Sequence, residues 1–552
     1  MLADRVRETV FKALMDCGFG ETQLRGAKDI QIETPKQRDH GDYSTNLAML
    51  LAKPLKKKPR DIAEALAARL QGAGPVESAE VAGPGFINIK VKADTFREVL
   101  PEADGAGGRW GWNDSLKGSR IQVEFVSANP TGPLSVGHGR LAAFGDALAS
   151  ILAACGADVT REYYVNDVGN QIANLAKSVE QRYLEMLGER SNPEDIGYQG
   201  EYIKEYAAEL LEKRGDSLLR EDVEERRKII AGYTIERVLR EQAESLEKYG
   251  VKFDRWFRES ELYAAGMVDD TLKLLQEKGH IFEQEGALWF KSTAFEDTQD
   301  RVLKKSEGMP TYFLSDIAYH RNKFDRGFGT VIDIWGADHH GYIPRMKSSM
   351  SALGLDAANL EILIVQLVRF KQSGVMVRMS KRLGNMVSLS ELAEEVGTDV
   401  SRFFFLMRTK DTHLDFDIDL AKDKSEANPM YYLQYAHARI CSLLRKAADQ
   451  GLKPAFGANL ALLEEPRETT LMKRVADFPW EMTSAGAARE PHRIINFMTE
   501  LAGDFHTFYH DLRVVDREKP ELSSARLALC AAVRNVLAGG LSVMGISAPD
   551  TM

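Results

Sequence analysis

The stretch 120–155, RIQVEFVSANPTGPLSVGHGRLAAFGDALASILAAC, decides the reading of the chain. Its apolar, β-prone run from Ile121 to Val126 predicts a strand. It breaks at Asn129-Pro130 and Gly132-Pro133, then passes through Ser135-Val136-Gly137-His138. Leu141, Phe144, Leu148, Ile151 and Leu152 follow at helical spacing. Strand, Gly/Pro-rich loop and helix form the arrangement that holds phosphate at a helix N-terminus. Gly137 allows close approach to the backbone, and His138 stands where the first helical N–H groups point outward. The stretch therefore predicts a nucleotide site.

Working outward, Gly156 ends the helix and Val159 to Val165 returns as a strand, best closed as a parallel right-handed βαβ unit. Asn166 to Gln171 then falls at that strand's C-terminal end, where doubly wound sheets bind ligands. Residues 177–250 are helical and charge-rich and read as an insertion. FDRWFRESEL (253–262) is an aromatic cluster assigned to core. Alternation over 281–305 predicts a hairpin in a second insertion, within 265–309. The sheet resumes with strands at Thr311 to Ile317, Thr330 to Trp335 and Ile362 to Phe370. The strand at 330–335 runs into Gly336-Ala337-Asp338-His339-His340. A metal reading of that cluster is open, but adjacent residues point in different directions and no third cluster lies at ligand spacing. No metal ligands are assigned. Ser373 to Asn385, bracketed by Gly374 and Gly384, reads as a cation-carrying flap. Its Lys381 is suited to neutralise a departing pyrophosphate.

With 552 residues the chain exceeds one ordinary core, and three or four domains are expected. Residues 1–110 read as a small α/β module, with helices at Val6 to Met15 and Pro59 to Leu70, a strand at Phe86 to Val91, and a linker at Gly105 to Gly108. Its cluster Lys53, Lys56, Lys57, Lys58 and Arg60 is either a solvated helix start or a phosphate contact. Residues 113–420 form the sheet-bearing domain, and 421–552 read as almost wholly helical. Tyr432, Tyr435 and Arg439 share one helix face, either a core stripe or a surface on which RNA bases stack. The four cysteines are scattered, which argues against a disulfide framework or zinc ribbon. No apolar run reads as long enough to cross a bilayer, and the N-terminus reads as an amphipathic helix. A cytoplasmic protein with no membrane partner is expected. The net charge of −10 does not announce a polyanion partner, although a local basic patch would suffice.

Two signals combine into a resemblance. Ser135-Val136-Gly137-His138 resembles the His-x-Gly-His signature of class I aminoacyl-tRNA synthetases, and Arg378-Met379-Ser380-Lys381-Arg382 resembles their Lys-Met-Ser-Lys-Ser loop. Glu124 to Pro133, Tyr312 to Asp316, Gly336 to His340 and Tyr432 to Arg439 look like arginyl-tRNA synthetase, and the likeness spans the chain. It implies a Rossmann-like parallel-sheet catalytic domain with insertions, a small N-terminal α/β domain that touches the tRNA elbow, and an all-α anticodon-binding bundle.

The same resemblance implies an arginine–tRNA ligase, which makes arginyl-adenylate from L-arginine and ATP with Mg²⁺ and then charges tRNA(Arg). It implies a monomer, and activation of arginine only once tRNA is bound. By motif match, Glu124 and Asp316 hold the guanidinium beside Tyr312. Asn129 holds the α-amino or carboxylate end, and Asp338 assists. Ser135, Gly137, His138, Met379, Ser380 and Lys381 serve ATP, His138 and Lys381 being catalytic. Tyr432, Tyr435, Arg439 and Met552 meet tRNA. Ser135 in place of the first signature His, and Arg378 and Arg382 in the loop, depart from the family pattern.

Three alternatives remain at this level. A cysteinyl-type synthetase would want a zinc site that the cysteines do not supply. A small-molecule nucleotidyltransferase would need neither end domain. An inactive synthetase-like RNA-binding protein is hinted at by Ser135 alone. Charging of total tRNA with each amino acid in turn separates all of these.

Overall fold

The structure is a computed structural model that describes residues 1–19, 30–33, 35, 41–377 and 388–552. Its centre is a five-stranded, all-parallel sheet: β1 (Arg120–Glu124), β2 (Asp158–Val165), β3 (Arg255–Arg258), β4 (Thr330–Gly336) and β5 (Leu360–Val365). The order is β5-β4-β1-β2-β3. The chain winds outward from β1 to β3, then crosses back to place β4 on the other side of β1. That reversal is the topological switch point of a doubly wound sheet, where a ligand crevice opens at the strands' C-terminal ends.

Helix α1 (Val136–Ala154) returns the chain from β1 to β2. It lies close over the strand because Gly145 faces Phe125; a Cβ there would sit 2.2 Å from the ring. Fourteen of its residues are buried, so it is a core helix apolar on most faces and not the one-sided amphipathic helix its spacing predicts.

Three expectations are corrected. Thr311 to Ile317 is not a strand: Thr311 is the N-cap of α2 (Tyr312–Asp325). Its β-prone letters hide Leu314, Ile317 and Ala318 buried at helical spacing. Ile362 to Phe370 is not one strand either. β5 stops at Val365, and Val368–Gln372 forms an antiparallel hairpin with Val375–Val377 and pairs in parallel with Leu414–Asp417. Gly105 to Gly108 is not a free linker. It ends the helix Ala93–Ala106 and begins a short 3₁₀ turn, and Gly539 of the last helix lies so close that a Cβ would meet the Gly108 carbonyl at 2.5 Å.

The first insertion comprises helices Asn170–Met186, Glu201–Arg214 and Val223–Lys248, with its own core around Leu175, Tyr183, Tyr206 and Val238. The second is a three-stranded meander, one strand more than the expected hairpin. The C-terminal bundle contains α3 (Pro429–Ala448), α4 (Pro466–Ala488), α5 (His492–Asp511) and α6 (Pro520–Val543). Contrary to the sequence reading, α6 is long and apolar enough to cross a membrane, with a mean hydropathy of 1.3 over its most apolar window. Most of it is buried as the central helix of the bundle.

The N-terminal module, a three-stranded antiparallel sheet with helices, docks on the bundle. Tyr43 donates to Asp477 at 3.0 Å, Lys473 pairs with Asp42 at 2.6 Å, and the Trp110 indole donates to the Val475 carbonyl at 2.7 Å. The largest hydrophobic cluster runs through module, sheet and bundle without a break, so these parts share one core.

Candidate active site

The crevice between β1 and β4 is built in two halves. The first is the N-terminus of α1. Ser135 is its N-cap, the position where serine is favoured. The Ser135 backbone N–H donates to His138 Nδ1 at 3.0 Å, and the Ser135 hydroxyl lies 3.1 Å from the same nitrogen. A ring nitrogen that accepts from a backbone N–H is unprotonated, so the neutral His138 ring carries its proton on Nε2. No acidic side chain occupies the first turn, and Gly137 is exposed, which leaves the helix N-terminus suited to an anion. The segment that starts at Ser388 is stitched onto this turn. Ser388 bridges Ser135, and Leu389 N donates to Leu134 O at 2.9 Å. Arg140, buried two residues beyond His138, spends its guanidinium on the carbonyls of Gln366, Thr409 and Thr412 at 2.6–3.1 Å. With no carboxylate paired to it among the described residues, burial lowers its pKa to about 10. It ties α1 to the base of the hairpin formed by Val368–Gln372 and Val375–Val377.

The second half is a set of carboxylates. β1 ends in Glu124, and the next turn is strained: Val126 and Ser127 both hold positive φ, 68° and 39°. A β-branched residue there is a true outlier. The strain is fixed by Ser127, whose hydroxyl donates to Glu124 Oε1 at 2.8 Å and accepts from Tyr164 N at 3.1 Å. Glu124 Oε2 accepts from the buried Lys323 at 2.5 Å, and Lys323 also donates to Asp333 of β4 at 2.7 Å. His320 lies 2.6 Å from the other Asp333 oxygen. Burial opposes ionisation of Asp333, but Lys323 and His320 outweigh it and hold its pKa well below the usual carboxylate range. Burial likewise acts to discharge Lys323, and Asp333 and Glu124 keep it charged. A bidentate Arg326–Glu162 pair at 2.5 and 2.7 Å completes this internally neutralised layer.

Two carboxylates in front of that layer have no such partner. Asp316, one turn into α2, accepts from the Tyr342 hydroxyl at 2.5 Å, and burial raises its pKa. Glu259, just after β3, is 2% exposed. Burial first, then the charges of Asp316 and Asp167, push its pKa up to about 7. The Asn166 amide, with its nitrogen turned inward, donates to it at 2.7 Å. Neither Asp316 nor Glu259 makes a salt bridge among the described residues. The site therefore holds two buried carboxyls whose ionised forms have no matching cation among the described residues, the complement of a cationic ligand.

A family of class I tRNA synthetases (R), catalytic domain, matches residues 111–415. An arginyl tRNA synthetase N-terminal domain matches 3–91, and a DALR anticodon-binding domain matches 433–552. An arginine–tRNA ligase of Citrifermentans bemidjiense is 47% identical over the full length of both chains. That of Bacillus subtilis is 46% identical, covering 100% of this chain and 99% of its own. The chain belongs to the arginine–tRNA ligase family. It is a ligase that uses ATP to charge tRNA with arginine. The fold agrees with that of the arginyl-tRNA synthetase of Thermus thermophilus, at a TM-score of 0.78 and 24% identity with both chains fully covered.

The residues expected to serve the ligase distribute as follows. Ser135, Gly137 and His138 form the first turn of α1 and its cap. Glu124 and Asp316 lie close enough for their charges to interact, yet both Glu124 oxygens already accept internal donors. Asn129 is exposed on the loop after β1. Tyr312, 58% exposed, leans on Gly169 across the crevice; a Cβ at Gly169 would fall 2.9 Å from the hydroxyl. Asp338 is exposed after β4 and pairs with His339 at 3.1 Å. Met379, Ser380 and Lys381, with Arg378 and Arg382, lie outside the described residues.

Tyr432, Tyr435 and Arg439 belong to the bundle. They share a half-buried groove in which Arg439 stacks between Tyr435 and Tyr509 at 4.9 and 4.8 Å, and His506 packs on Tyr432 and Tyr435. The groove is thus part core and part surface. Met552 is exposed at the chain end. Sequence reasoning missed Glu259. It placed 253–262 in the core, which holds for Phe253 and Phe257 but not for the carboxylate beside them. A buried glutamate following a strand at the sheet's C-terminal edge was the available signal.

Proposed function

We propose that Asp316 and Glu259 together hold the guanidinium of L-arginine, with Tyr312 closing over it. The observation that carries this is the pair of buried carboxylates without a salt bridge among the described residues, set against a layer behind them whose carboxylates each meet a cation. A planar cation with five donors answers that deficit, and a neutral isostere would leave both acids unpaired at a cost of several kcal/mol, roughly. Glu124, engaged by Lys323 and Ser127, orients the strained turn so that Asn129 meets the α-amino or carboxylate end, with Asp338 assisting.

ATP lies with its phosphates at the first turn of α1. There His138 Nε2–H and the backbone N–H groups donate to phosphate oxygens, and Gly137 permits close approach. Ser135 acts as the cap that fixes the His138 ring. Mg²⁺ enters as part of the ATP substrate. The arginine carboxylate attacks the α-phosphorus, pyrophosphate leaves, and Lys381 of the flap, with Met379 and Ser380 beside it, neutralises the departing charge. The tRNA 3′ hydroxyl then attacks the arginyl carbonyl and AMP leaves. The N-terminal module (1–110) meets the tRNA elbow, and the bundle (421–552) reads the anticodon through Tyr432, Tyr435, Arg439 and Met552. The enzyme acts as a cytoplasmic monomer away from membranes, and activates arginine once tRNA is bound.

The test is arginine-dependent, tRNA-supported pyrophosphate exchange with Glu259→Gln and Asp316→Asn. Each is expected to raise KM for arginine on the order of 100-fold, the loss of a charge-assisted hydrogen bond plus an unmet donor, and to leave KM for ATP unchanged. An unchanged arginine KM in both variants would sink the assignment.

A further inference from the structure

The first insertion contains a cleft of about 440 Å³ lined by Glu180, Gln181, Asn192, Arg190, Arg226 and Arg227 among others. It opens between the end of helix Asn170–Met186, the loop after it and the first turn of helix Val223–Lys248. Arg226 and Arg227 each donate Nε to one oxygen of Glu180 at 2.6 Å, and Glu180 is 1% exposed. A single buried carboxylate thereby fixes two guanidinium groups side by side. The terminal nitrogens of Arg226 make no hydrogen bond among the described residues, and those of Arg227 have only Asp195 at 3.8 Å. Arg190 at the rim is exposed and makes no hydrogen bond or ion pair among the described residues. Three arginines thus stand against two carboxylates.

Gln181 supplies a separate observation. It is 4% exposed, and its Oε1 accepts from Asn192 N at 2.6 Å. That bond turns Nε2 the other way, where it has no partner among the described residues. Asp222, Glu224 and Glu225 sit at the start of the second helix, but they do not line the cleft. What the cleft presents is a convergent set of donors.

We propose that this cleft binds a phosphodiester of the tRNA backbone. Arginine forks and an amide N–H suit phosphate oxygens, which only accept. Position selects RNA over a free anion. Helix Asn170–Met186 begins at the crevice, directly after Gly169 under Tyr312, and Gln181 stands roughly 15 Å along it. A strand whose 3′ end enters the crevice passes within reach. The inference rests on the reading of that crevice as the site of arginyl transfer.

The test uses the full-length enzyme with Arg190→Glu and, because Arg226 also neutralises Glu180, the conservative Arg226→Lys. Binding of tRNA is measured between ~50 and ~200 mM salt, where each lost phosphate contact should lower the log–log slope by about 1. Arg190→Glu is expected to weaken tRNA binding about tenfold at low salt and flatten the slope by that amount, with the thermal midpoint and the KM for arginine unchanged. Arg226→Lys is expected to fall between it and the wild type. Unaltered tRNA affinity and slope in Arg190→Glu would overturn the proposal. So would a thermal midpoint raised by inorganic phosphate through Arg190 while tRNA binding ignores that residue, which would mark a small-anion site. If the wild type bound tRNA through Arg190 but supported no arginine-dependent exchange, the crevice reading would fall and the cleft would stand.

Discussion

Glu259 shows what one side chain can set. Its pKa of about 7 without substrate means that it is half protonated near neutrality, whereas a bound guanidinium requires the carboxylate. Arginine binding should therefore release a proton. Affinity should fall as pH drops below 7, by at most about tenfold per unit, and hold constant above pH 8. Calorimetry in buffers of different ionisation enthalpy reads this directly, and Glu259→Gln should abolish the proton release. Gln122 makes the opposite case. It lies in β1, fully buried, and neither side-chain polar atom has a hydrogen-bond partner among the described residues. Replacing an unsatisfied buried amide by a methionine of similar shape should stabilise the fold by about 1–2 kcal/mol, seen as a higher thermal midpoint with unchanged activity.

Among the elements, the first turn of α1 was the most legible in the sequence, because Gly, Pro and the capping serine announce themselves within a few residues. The residue that looked like the oddity, Ser135, turns out to be a good N-cap. Ser135→Ala should cost about 1 kcal/mol of stability and, by loosening the His138 ring, reduce kcat for activation more than KM for ATP. Lys381→Ala should abolish tRNA-supported pyrophosphate exchange while leaving arginine binding intact; unchanged exchange would remove Lys381 from the mechanism. The carboxylate half was only partly legible. Glu124 and Asp316 carry motif signals, but Glu259 acquires its meaning from Asp316 and Asp167, neighbours that only the closed sheet brings near. α2 was misread because Thr311, Tyr312 and Phe313 favour strands locally, while the burial that makes the segment helical comes from packing against the rest of the fold.

At the scale of the whole molecule, three sequence regions share a continuous core, and their contacts are polar where it matters. Arg402, fully buried, joins Asp146 of α1 at 2.7 Å, the Tyr249 carbonyl at the end of the first insertion and the Met544 carbonyl after α6. At the docking face of the N-terminal module, burial raises the Asp477 carboxyl to about 7, and nearby Asp42 adds to it. A carboxyl whose folded pKa lies above its unfolded value favours the fold most below about pH 4, and that contribution is lost as pH rises through 7. Asp477→Asn should remove this decline, worth about 4 kcal/mol, so that its thermal midpoint exceeds the wild type's at pH 8 by more than at pH 4.

The strand order has a consequence in time. β1 pairs with β2 soon after both are made, but its other edge is met only by β4, whose last residue, Gly336, follows Glu124 by more than two hundred positions. During synthesis the nascent chain carries β1 with one open edge for roughly 10–40 s. Ile121, Val123 and Phe125 then lack the cover they have in the finished protein. An unpaired apolar edge is a template for joining another chain. The same reversal of winding that opens the crevice thus leaves one edge of β1 unpaired until β4 leaves the ribosome.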